Sequence, residues 1–575
     1  MPDEIPAGEG GTPTRAVSLS YCHGASSVPL LGETIGANLR RIARIHGEAE
    51  ALVDVPTGRR WTYARLDAET DILARGLIAA GLRAGDRLGI WAPNCAEWVL
   101  LQYATAKAGI ILVNINPAYR GHELSYALRQ SDVRLLVSAE SFKTSDYRAM
   151  IDQARGDLRG LERVIYLATA DWDALLQAGR DAEAGRDAEA GAAGGGTDPL
   201  ADREAGLSFD DPINIQYTSG TTGFPKGATL SHHNILNNGF FIGEGCRYSA
   251  QDRVCIPVPF YHCFGMVLGN LACTTHGACI VIPAPGFDPD QTLRAVQAER
   301  CTSLYGVPTM FIAELSLADF ASYDLSTLRT GIMAGSPCPV EVMKRVVSEM
   351  HMTEVTICYG MTETSPVSTQ TTADDDMDRR VSTVGQVHPH VELKIIDPDT
   401  GRVLPRGTAG ELCTRGYSVM LGYWDEPDRT AEAIDAARWM HTGDLAVMDQ
   451  AGYLNIVGRI KDMVIRGGEN IYPREIEEFL YSHPAIEDIQ VIGVPDARYG
   501  EELCAWIKVR PGHELTADGV LAYCQGKIAH YKVPRYVRFS TEFPMTITGK
   551  VQKFRMREVS IVELDLTQAA SQQTA

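Results

Sequence analysis

Long apolar runs are missing from this chain of 575 residues. No stretch of about 18 apolar residues occurs, so the sequence predicts no transmembrane helix. The N-terminal segment MPDEIPAGEGGTPTR is polar and acidic, and without an apolar core it predicts no secretory signal. The most apolar window, residues 266–286, is interrupted by polar residues and glycine and therefore predicts buried helix and strand.

Paired cysteine motifs are missing as well. The thirteen cysteines are scattered, with no CxxC and no close cluster of cysteine and histidine along the sequence. Their odd number and wide spacing favour reduced thiols over disulfides or a zinc site. We therefore expect a cytoplasmic protein.

Basic residues are outnumbered, because 53 Lys and Arg against 73 Asp and Glu give a net charge of −20. Nucleic acids attract clustered Lys and Arg, so this balance argues against a nucleic-acid partner. It does not argue against ATP, since Mg²⁺ and a local basic pocket can hold a short phosphate chain in an acidic protein.

Three widespread catalytic motifs are absent. No GxxxxGK followed by Ser or Thr occurs, which excludes a Walker A phosphate loop. No GxSxG or HxxxD occurs either, which argues against esterases and condensing acyltransferases.

The most informative segment present is YTSGTTGFPKG at residues 217–227. It supplies Thr218, Ser219, Gly220, Thr221, Thr222, Gly223, Phe224, Pro225 and Lys226. Glycines let backbone N–H groups approach a ligand, hydroxyls donate hydrogen bonds, and the lysine adds a positive charge. Residues 213–217 alternate like a strand and Ser231 is placed to cap a helix. A loop between strand and helix predicts polyphosphate binding, with a flexible surface turn as the alternative.

The chain predicts an α/β fold, with a large N-terminal domain of several subdomains, containing parallel-rich sheets and helices, and a small mobile α+β C-terminal domain. We expect a flexible arm over 1–29, the large domain over 30–460 and the small one over 461–575. Alternating patterns support this, with a helix from Tyr63 and strands over 88–91 and 109–113. The repeat GRDAEA and the GAAGGG that follows it make 179–196 a low-complexity surface insertion that buries no core.

Six further motifs follow at wide spacings. They are PVPFYHCFG at 257–265, AGSP at 334–337, YGMTET at 359–364, HTGD at 441–444, GGEN at 467–470 and PMTITGK at 544–550. Together with the glycine-rich segment, and in this order, they resemble the adenylate-forming superfamily of acyl-CoA synthetases, peptide-synthetase adenylation domains and beetle luciferases. The resemblance covers about residues 35–560, and SYCHGAS and YTSGTTGFPKGATLSHHN are most similar to medium-chain acyl-CoA synthetases of the "family member 2" type.

The resemblance implies an AMP-forming acid–thiol ligase. A carboxylic acid and MgATP give an acyl-adenylate and pyrophosphate, and the acyl group then passes to coenzyme A with release of AMP. Residues 218–226 are expected at the β- and γ-phosphates, Glu363 at Mg²⁺ and Thr362 at the α-phosphate. Lys550 is expected to bridge the substrate carboxylate and the α-phosphate, where its charge acts mainly in the transition state. Acetylation of Lys550 would remove that charge and act as an off-switch.

The remaining ligand contacts are also implied by the resemblance. Tyr359, Gly360 and Met361 are expected beside the adenine, together with the turn formed by Gly335, Ser336 and Pro337. Asp444 is expected at the ribose and Arg459 at the ribose and phosphate. For the second step, Lys461 is the expected hinge, Gly467, Gly468 and Glu469 line the CoA channel, and His262 gates the acyl pocket.

The candidate acyl pocket is apolar. Its expected lining is Phe260, His262, Gly265, Val307, Met333, Ala334 and Gly360. Acetate-specific relatives have tryptophan where this chain has Gly360, so glycine predicts room for a longer chain. Asn237–Phe241 offers no aspartate for an amino group, which disfavours amino-acid substrates.

Several functions remain open at this point. A medium-chain fatty acid is the expected substrate, and an aryl acid also fits. A stand-alone enzyme that loads a carrier-protein thiol, a luciferase-like monooxygenase and a non-catalytic binding protein are the alternatives on the same fold. We expect a monomer or a homodimer.

Overall fold

The computed structural model describes residues 18–193, 198–218, 225–336, 338–466, 469–496, 498–546 and 550–572. Four large sheets organise these residues. The first three are formed by residues before 460, and the fourth is formed by residues after 463.

The first sheet has seven strands and is parallel except at one edge. In spatial order they are Gly422–Tyr423, Lys226–Ser231, Pro212–Thr218, Ile111–Asn114, Arg87–Trp91, Leu135–Ser138 and Arg163–Tyr166. The strands from Pro212–Thr218 onward run parallel and read as short apolar runs, because helices cover both faces of such a sheet.

The second sheet has nine strands with a parallel centre and antiparallel edges. In spatial order they are Gln386–Val387, Val367–Gln370, Glu354–Gly360, Thr330–Ala334, Ser303–Gly306, Arg253–Cys255, Cys279–Ile282, Glu50–Asp54 and Arg59–Thr62. The largest buried cluster of the described chain includes side chains from both sheets, such as Leu112 and Ile332.

The third and fourth sheets are smaller. The third is antiparallel and contains Tyr21–His23, Val391–Ile396, Gly410–Gly416, Met440–Met448 and Leu454–Arg459. The fourth contains Glu469–Ile471, Val464–Arg466, Gly500–Val509 and Ile486–Asp496, with Tyr536–Phe539 parallel to Gly500–Val509. The strands Ser141–Phe142 and Ser145–Asp146 form a separate short hairpin. Arg163–Tyr166 is the edge strand of the first sheet.

Helices connect and cover the sheets. The α-helices are Ile35–His46, Tyr63–Ala79, Ala96–Ala108, Gly121–Gln130, Tyr147–Ala154, Ala170–Ala193, Pro199–Ala205, His232–Gly245, Ala272–His276, Pro289–Glu299, Pro308–Leu315, Val340–Glu349, Met377–Ser382, Pro427–Ala433, Pro473–Tyr481, Ala517–Cys524, Lys553–Glu563 and Thr567–Gln572. Phe264–Leu271 is a π-helix. Within the described ranges, no helix has both the length and the apolar character needed to cross a bilayer.

The predicted α/β class and the local patterns agree with the structure. The helix expected at Tyr63 spans Tyr63–Ala79, and the strand expected over 213–217 spans Pro212–Thr218. Ser231 caps the helix His232–Gly245, because its hydroxyl accepts from Asn234 N while the Asn234 side chain accepts from Ser231 N.

The low-complexity repeat has more structure than its composition indicates. The helix Ala170–Ala193 runs through most of the predicted insertion over 179–196. Trp172 and Leu175 are buried, and a Cβ on Gly179 would lie 1.9 Å from Ile72 O, so the start of the repeat packs tightly on the helix Tyr63–Ala79. Alanine, arginine and glutamate favour helices, so a helix anchored upstream continues into the repeat.

The fourth sheet has a core of its own. Ile476, Ile489 and Leu503 are fully buried in a cluster confined to residues after 463. The third sheet ends at Arg459, and the fourth begins at Val464. The chain between them is a single 3₁₀ turn, Ile460–Asp462, which contains the expected hinge residue Lys461.

Candidate active site

Glu363 lies in a tight turn between two strands of the second sheet. The strands Glu354–Gly360 and Val367–Gln370 pair as a hairpin, and the turn Thr362–Thr364 projects from its end. The Glu363 carboxylate is buried, and its Oε1 accepts a hydrogen bond from Tyr423 Oη at 2.8 Å. Thr218 Oγ1 lies 3.4 Å from the same oxygen, so the glycine-rich segment and the turn meet here.

Asp444 is held by two partners. Its Oδ2 accepts from Tyr359 Oη at 2.7 Å, and its Oδ1 accepts from Arg459 Nε at 2.8 Å. Asp444 and Arg459 are direct cross-strand neighbours, so the sheet itself sets their separation. Burial, with the nearby Asp444 charge, raises the pKa of Tyr359 well above its usual value, so Tyr359 remains a hydrogen-bond donor.

Lys550 belongs to the C-terminal part of the chain, which forms the fourth sheet, and its side chain lies near Asp444 and Glu363. Part of its side chain faces solvent, yet surrounding protein lowers the pKa of its ammonium, and the positive charge of Arg459 lowers it further. Cys263, Asp444 and Glu363 act in the opposite direction. These electrostatic effects indicate that Lys550 lies in the same region as Asp444 and Glu363.

His262 is a neutral hydrogen-bond acceptor in this structure. Phe264 N donates to His262 Nδ1 at 3.1 Å, and the half-buried ring lies just before the π-helix. Burial, with a smaller effect of Lys550, lowers the pKa of His262 to about 3. The proton of the neutral ring therefore lies on Nε2, so the ring can position a ligand as a donor but offers no free Nδ1 lone pair.

Only part of the predicted phosphate loop lies in the described residues. Thr218 and Lys226 are cross-strand partners at the ends of two adjacent strands, and Lys226 Nζ lies 4.8 Å from the centre of the Tyr423 ring. Ser219, Gly220, Thr221, Thr222, Gly223 and Phe224 lie outside the described residues, as do Pro337, Gly467, Gly468 and the Glu469 side chain. Their predicted contacts with ATP and CoA stay predictions.

The predicted acyl-pocket residues divide between two faces of the second sheet. Phe260, Val307 and Ala334 belong to the large cluster between the first two sheets. Met333 belongs to a different cluster with Leu304 on the opposite face, because successive residues of a strand point to opposite sides. Met333 and Ala334 thus point to opposite sides of the sheet, and the predicted lining of the acyl pocket stays a prediction.

Two glycines of the predicted pocket are required by close backbone packing. A Cβ on Gly265 would lie 2.4 Å from Pro259 O, and a Cβ on Gly360 would lie 1.7 Å from Pro366 O. Distances below 3 Å cannot be accommodated without movement of the backbone. The glycine at 360 is thus explained by the geometry of the hairpin that carries Thr362 and Glu363.

The structure adds two residues that the sequence did not indicate. Tyr423 reaches Glu363 because the short strand Gly422–Tyr423 pairs with Lys226–Ser231. Cys263 Sγ lies 3.7 Å from Thr362 Oγ1 and 3.6 Å from His262 Nδ1, which places a thiol between two predicted site residues. The aromatic-rich motif at 257–265 could have indicated Cys263, whereas Tyr423 stands in no recognisable motif.

Comparison with protein families identifies this arrangement. The model described as AMP-binding enzyme matches residues 39–424, and the model for the AMP-binding enzyme C-terminal domain matches residues 475–550. The chain belongs to the AMP-binding enzyme family. Membership confirms the predicted resemblance to adenylate-forming enzymes and the predicted class, an AMP-forming acyl-CoA synthetase.

Relatives of this AMP-binding enzyme match it over nearly their full length. YngI of Bacillus subtilis (strain 168), named provisionally as an acyl-CoA synthetase, is 49% identical over 94% of this chain and 99% of its own. The mitochondrial medium-chain acyl-CoA ligase ACSF2 of Danio rerio is 46% identical over 96% of this chain and 92% of its own. The Homo sapiens ACSF2 is 43% identical over 94% of this chain and 89% of its own.

Solved structures share the fold. The anthranilate CoA ligase AuaEII in complex with anthranoyl-AMP superposes with a TM-score of 0.79 at 26% identity, covering 93% of this chain and 98% of that chain. ATP-bound MatB from Rhodopseudomonas palustris superposes with a TM-score of 0.76 at 30% identity, covering 91% and 99%. These likenesses confirm the predicted fold class.

Proposed function

We propose that this AMP-binding enzyme is an ATP-dependent ligase that joins medium-chain fatty acids to coenzyme A. The observation that supports it most strongly is the geometry of two carboxylates, because Thr218 and Tyr423 contact Glu363 while Tyr359 and Arg459 hold Asp444. The names of the ACSF2 relatives, which match nearly the whole chain, support the medium-chain substrate.

In the first half-reaction, two anions must approach each other, because the acid's carboxylate attacks the α-phosphate of ATP. We assign to Lys550 the positive charge between them, and to Thr362 a hydrogen bond to the α-phosphate. Residues 218–226, with Lys226 at their end, hold the β- and γ-phosphates. Pyrophosphate leaves as the acyl–phosphate bond forms.

Glu363 fits Mg²⁺, because it offers a hard carboxylate oxygen beside the phosphate segment. Tyr423 and Thr218 meet only one oxygen of that carboxylate, Oε1, so Oε2 is the atom we assign to the cation. When bound, the cation supplies charge neutralisation to the phosphates. Tyr423 keeps the carboxylate oriented for this purpose.

Adenosine is held from the second and third sheets. Asp444, oriented by Tyr359 and Arg459, accepts hydrogen bonds from the ribose hydroxyls. The segments around Gly335 and Gly360 lie at the carboxyl ends of neighbouring parallel strands, where nucleotides bind in such sheets.

In the second half-reaction, we propose that the C-terminal domain turns about Lys461. Lys550 then leaves the site and the segment 467–469 enters to form the thiol channel. The CoA sulfur attacks the acyl carbonyl, the bond to AMP breaks, and the thiol proton passes to water. A coenzyme A thiol loses its proton at a pKa of about 8.5, so this step does not need His262 as a base.

An aryl acid is the main alternative substrate, and the fold shared with anthranilate CoA ligase AuaEII at 26% identity supports it only weakly. The apolar side chains of Phe260, Val307 and Ala334 favour a hydrocarbon tail. A carrier-protein thiol is the alternative acceptor.

The test is pyrophosphate release with MgATP and straight-chain acids from acetate to palmitate, with and without coenzyme A. We expect turnover that requires coenzyme A and peaks between hexanoate and dodecanoate, because each buried CH₂ contributes about 0.8 kcal/mol until the pocket ends. Activity with benzoates alone would replace the proposed acid. An adenylate that coenzyme A cannot discharge would replace the proposed acceptor.

Acetylation of Lys550 is part of the proposal as a regulatory off-switch. Acetylation removes the charge of the ammonium group but leaves the rest of the site in place. A homogeneously acetylated preparation should lose adenylate formation, and treatment with a deacetylase should restore it. Full activity of the acetylated enzyme would exclude this switch.

We propose a cytoplasmic location on the basis of the thirteen cysteines, all of which lie in described residues and are free thiols. Fractionation of the source cells, with activity followed in each fraction, would test it. Recovery of the enzyme from an oxidising compartment would exclude it.

A further inference from the structure

A cluster of metal-binding side chains lies on the third sheet, behind the segment that carries Asp444. Glu411 and Cys413 are two residues apart on the strand Gly410–Gly416, and His441 is the direct cross-strand partner of Cys413. One ligand atom from each lies within 4.8 Å of the other two. We propose that Glu411, Cys413 and His441 bind a thiophilic divalent cation of the Zn²⁺ class.

The spacing of the ligand atoms fits such an ion. Zn²⁺ binds cysteine sulfur at about 2.3 Å and histidine nitrogen at about 2.0 Å, so at a tetrahedral angle the two atoms lie about 3.5 Å apart. Cys413 Sγ lies 3.6 Å from His441 Nδ1, and Glu411 Oε2 lies 3.0 Å from the same nitrogen. Sulfur and nitrogen ligands select zinc-like ions over Mg²⁺, which prefers oxygen.

The surroundings of the histidine are those of a metal ligand. His441 Nδ1 faces the thiol and the carboxylate, while His441 Nε2 lies 3.8 Å from Asp435 Oδ2. Metal-binding histidines commonly direct the second ring nitrogen towards a carboxylate, which fixes the ring. Cys413 is fully buried and Glu411 is 9% exposed, so two ligands are already removed from water.

The charges of the cluster balance a divalent ion. A thiolate, a carboxylate and a neutral imidazole carry two negative charges, so the bound site is neutral in a partly buried place where a net charge would be costly. On binding, the thiol and His441 Nδ1, which donates to Glu411 Oε2 in the metal-free protein, each give up a proton to water, and the sulfur and the nitrogen form new bonds to the metal. No oxidation or reduction is involved.

The position of the cluster connects it with the nucleotide site. The strand Met440–Met448 is irregular opposite Glu411 and Cys413, and Gly443 there has a φ of +68°. Glu411 Oε1 lies 3.3 Å from Gly443 N and accepts its hydrogen bond, next to Asp444. Irregularities of this kind redirect side chains beside active sites. An ion on Glu411 and His441 therefore ties both strands together beneath the predicted ribose ligand.

Cobalt spectroscopy tests the site directly, since Co²⁺ replaces Zn²⁺ and reports a bound thiolate. Metal-free full-length enzyme should take up one Co²⁺ with a thiolate-to-metal band in the near ultraviolet, and excess Mg²⁺ should not remove it. Cys413→Ser should lose the band. The matched control Cys22→Ser removes a partly accessible thiol elsewhere on the third sheet and should keep it.

A second variant guards against misfolding of Cys413→Ser. Glu411→Gln keeps the hydrogen bond to Gly443 but loses the ligand charge, so it should bind Co²⁺ at least about tenfold more weakly. One equivalent of Zn²⁺ should raise the Tm of the parent enzyme by a few degrees, with no shift in Cys413→Ser, since an ion that binds only the folded state stabilises it. A band that survives Cys413→Ser, disappears in Cys22→Ser, or never forms would overturn the proposal.

Discussion

At the scale of single residues, the proposed adenylation step depends on the ammonium of Lys550. Burial and Arg459 lower its pKa, with Cys263, Asp444 and Glu363 opposing them. Because the pKa is lowered from about 10.4, the group loses its proton at a lower pH than free lysine does, and its charge is present only below that pH. Adenylation should therefore decline as the pH rises through this lowered pKa.

The first prediction concerns substitution of Lys550. Lys550→Ala should lower pyrophosphate release by at least about 100-fold, as expected when a transition-state charge is removed. The activity that remains in Lys550→Arg should not fall as the pH rises through the pKa of Lys550, because a guanidinium group stays charged in that range. Both are measured as pyrophosphate release against pH. Thioester formation from supplied acyl-adenylate should be largely retained in Lys550→Ala, and equal loss of both half-reactions would contradict the role.

The second prediction concerns Tyr423, whose hydroxyl donates to Glu363. A hydrogen bond to a charged group contributes about 1.5 kcal/mol or more, which corresponds to roughly tenfold in binding. Tyr423→Phe should therefore raise the KM for MgATP about tenfold with little change in Tm. Initial rates at varied MgATP, with acid held constant, measure this. The matched control is Tyr417→Phe, which removes the hydroxyl of a half-buried tyrosine that accepts from Asn238 Nδ2 at 3.4 Å. A similar change in both variants would contradict a specific role.

These residues differ in how visible they are in the sequence. Glu363, Asp444 and Lys550 stand in short motifs whose order indicates the family, so they could be assigned before the fold was known. Tyr423 acts only because a two-residue strand pairs with Lys226–Ser231. No local sequence pattern indicates that segments nearly 200 residues apart will pair. The contact between Glu411 and His441 is not visible in the sequence for the same reason.

At the scale of elements, the hairpin that carries Thr362 and Glu363 depends on Gly360. A Cβ there would lie 1.7 Å from Pro366 O and 3.0 Å from Val367 Cα. Met361 N donates to Pro366 O at 2.9 Å, so the two chains cannot separate without losing this bond. Glycine at 360 is therefore required by the turn, whatever the length of the acyl chain.

The third prediction follows from this packing. Gly360→Ala should lower the Tm by a few degrees, because overpacking of this kind costs about 1–3 kcal/mol. It should also lower adenylation of every acid alike, since the turn that holds Glu363 moves. The matched control is Gly121→Ala, where a Cβ meets nothing within 4 Å. A variant with unchanged Tm and a shortened chain preference would instead support a pocket wall at this position.

Elements with strong local patterns were predictable, and those that depend on neighbours were not. The capped helix His232–Gly245 and the strand Pro212–Thr218 follow from spacing and capping residues. The face of Met333 could not be assigned, because two buried sides make every residue of a parallel strand apolar. The helix Ala170–Ala193 was hidden by a repeat whose composition resembles a linker.

At the scale of the whole molecule, two parts of the chain share one site. Lys550 belongs to the part after the 3₁₀ turn Ile460–Asp462, whereas Glu363 and Asp444 belong to the part before it. A hydrogen bond also joins the two parts. Arg474 Nη1, on the helix Pro473–Tyr481, donates to Ile456 O at 2.8 Å. A turn about Lys461 would break that bond, so it stabilises the arrangement in which Lys550 is in place.

The fourth prediction uses this contact to separate the two half-reactions. Arg474→Ala should slow adenylation roughly fivefold, as expected for loss of about 1 kcal/mol from the closed arrangement. It should leave thioester formation from supplied acyl-adenylate unchanged or faster, because that step uses the other arrangement. The matched control is Lys532→Ala, which removes an ion pair to Glu475 on the same helix but within the C-terminal part. Single-turnover measurements of both half-reactions give the comparison. Equal slowing of the two steps in Arg474→Ala, or the same pattern in Lys532→Ala, would show that the contact does not select between arrangements.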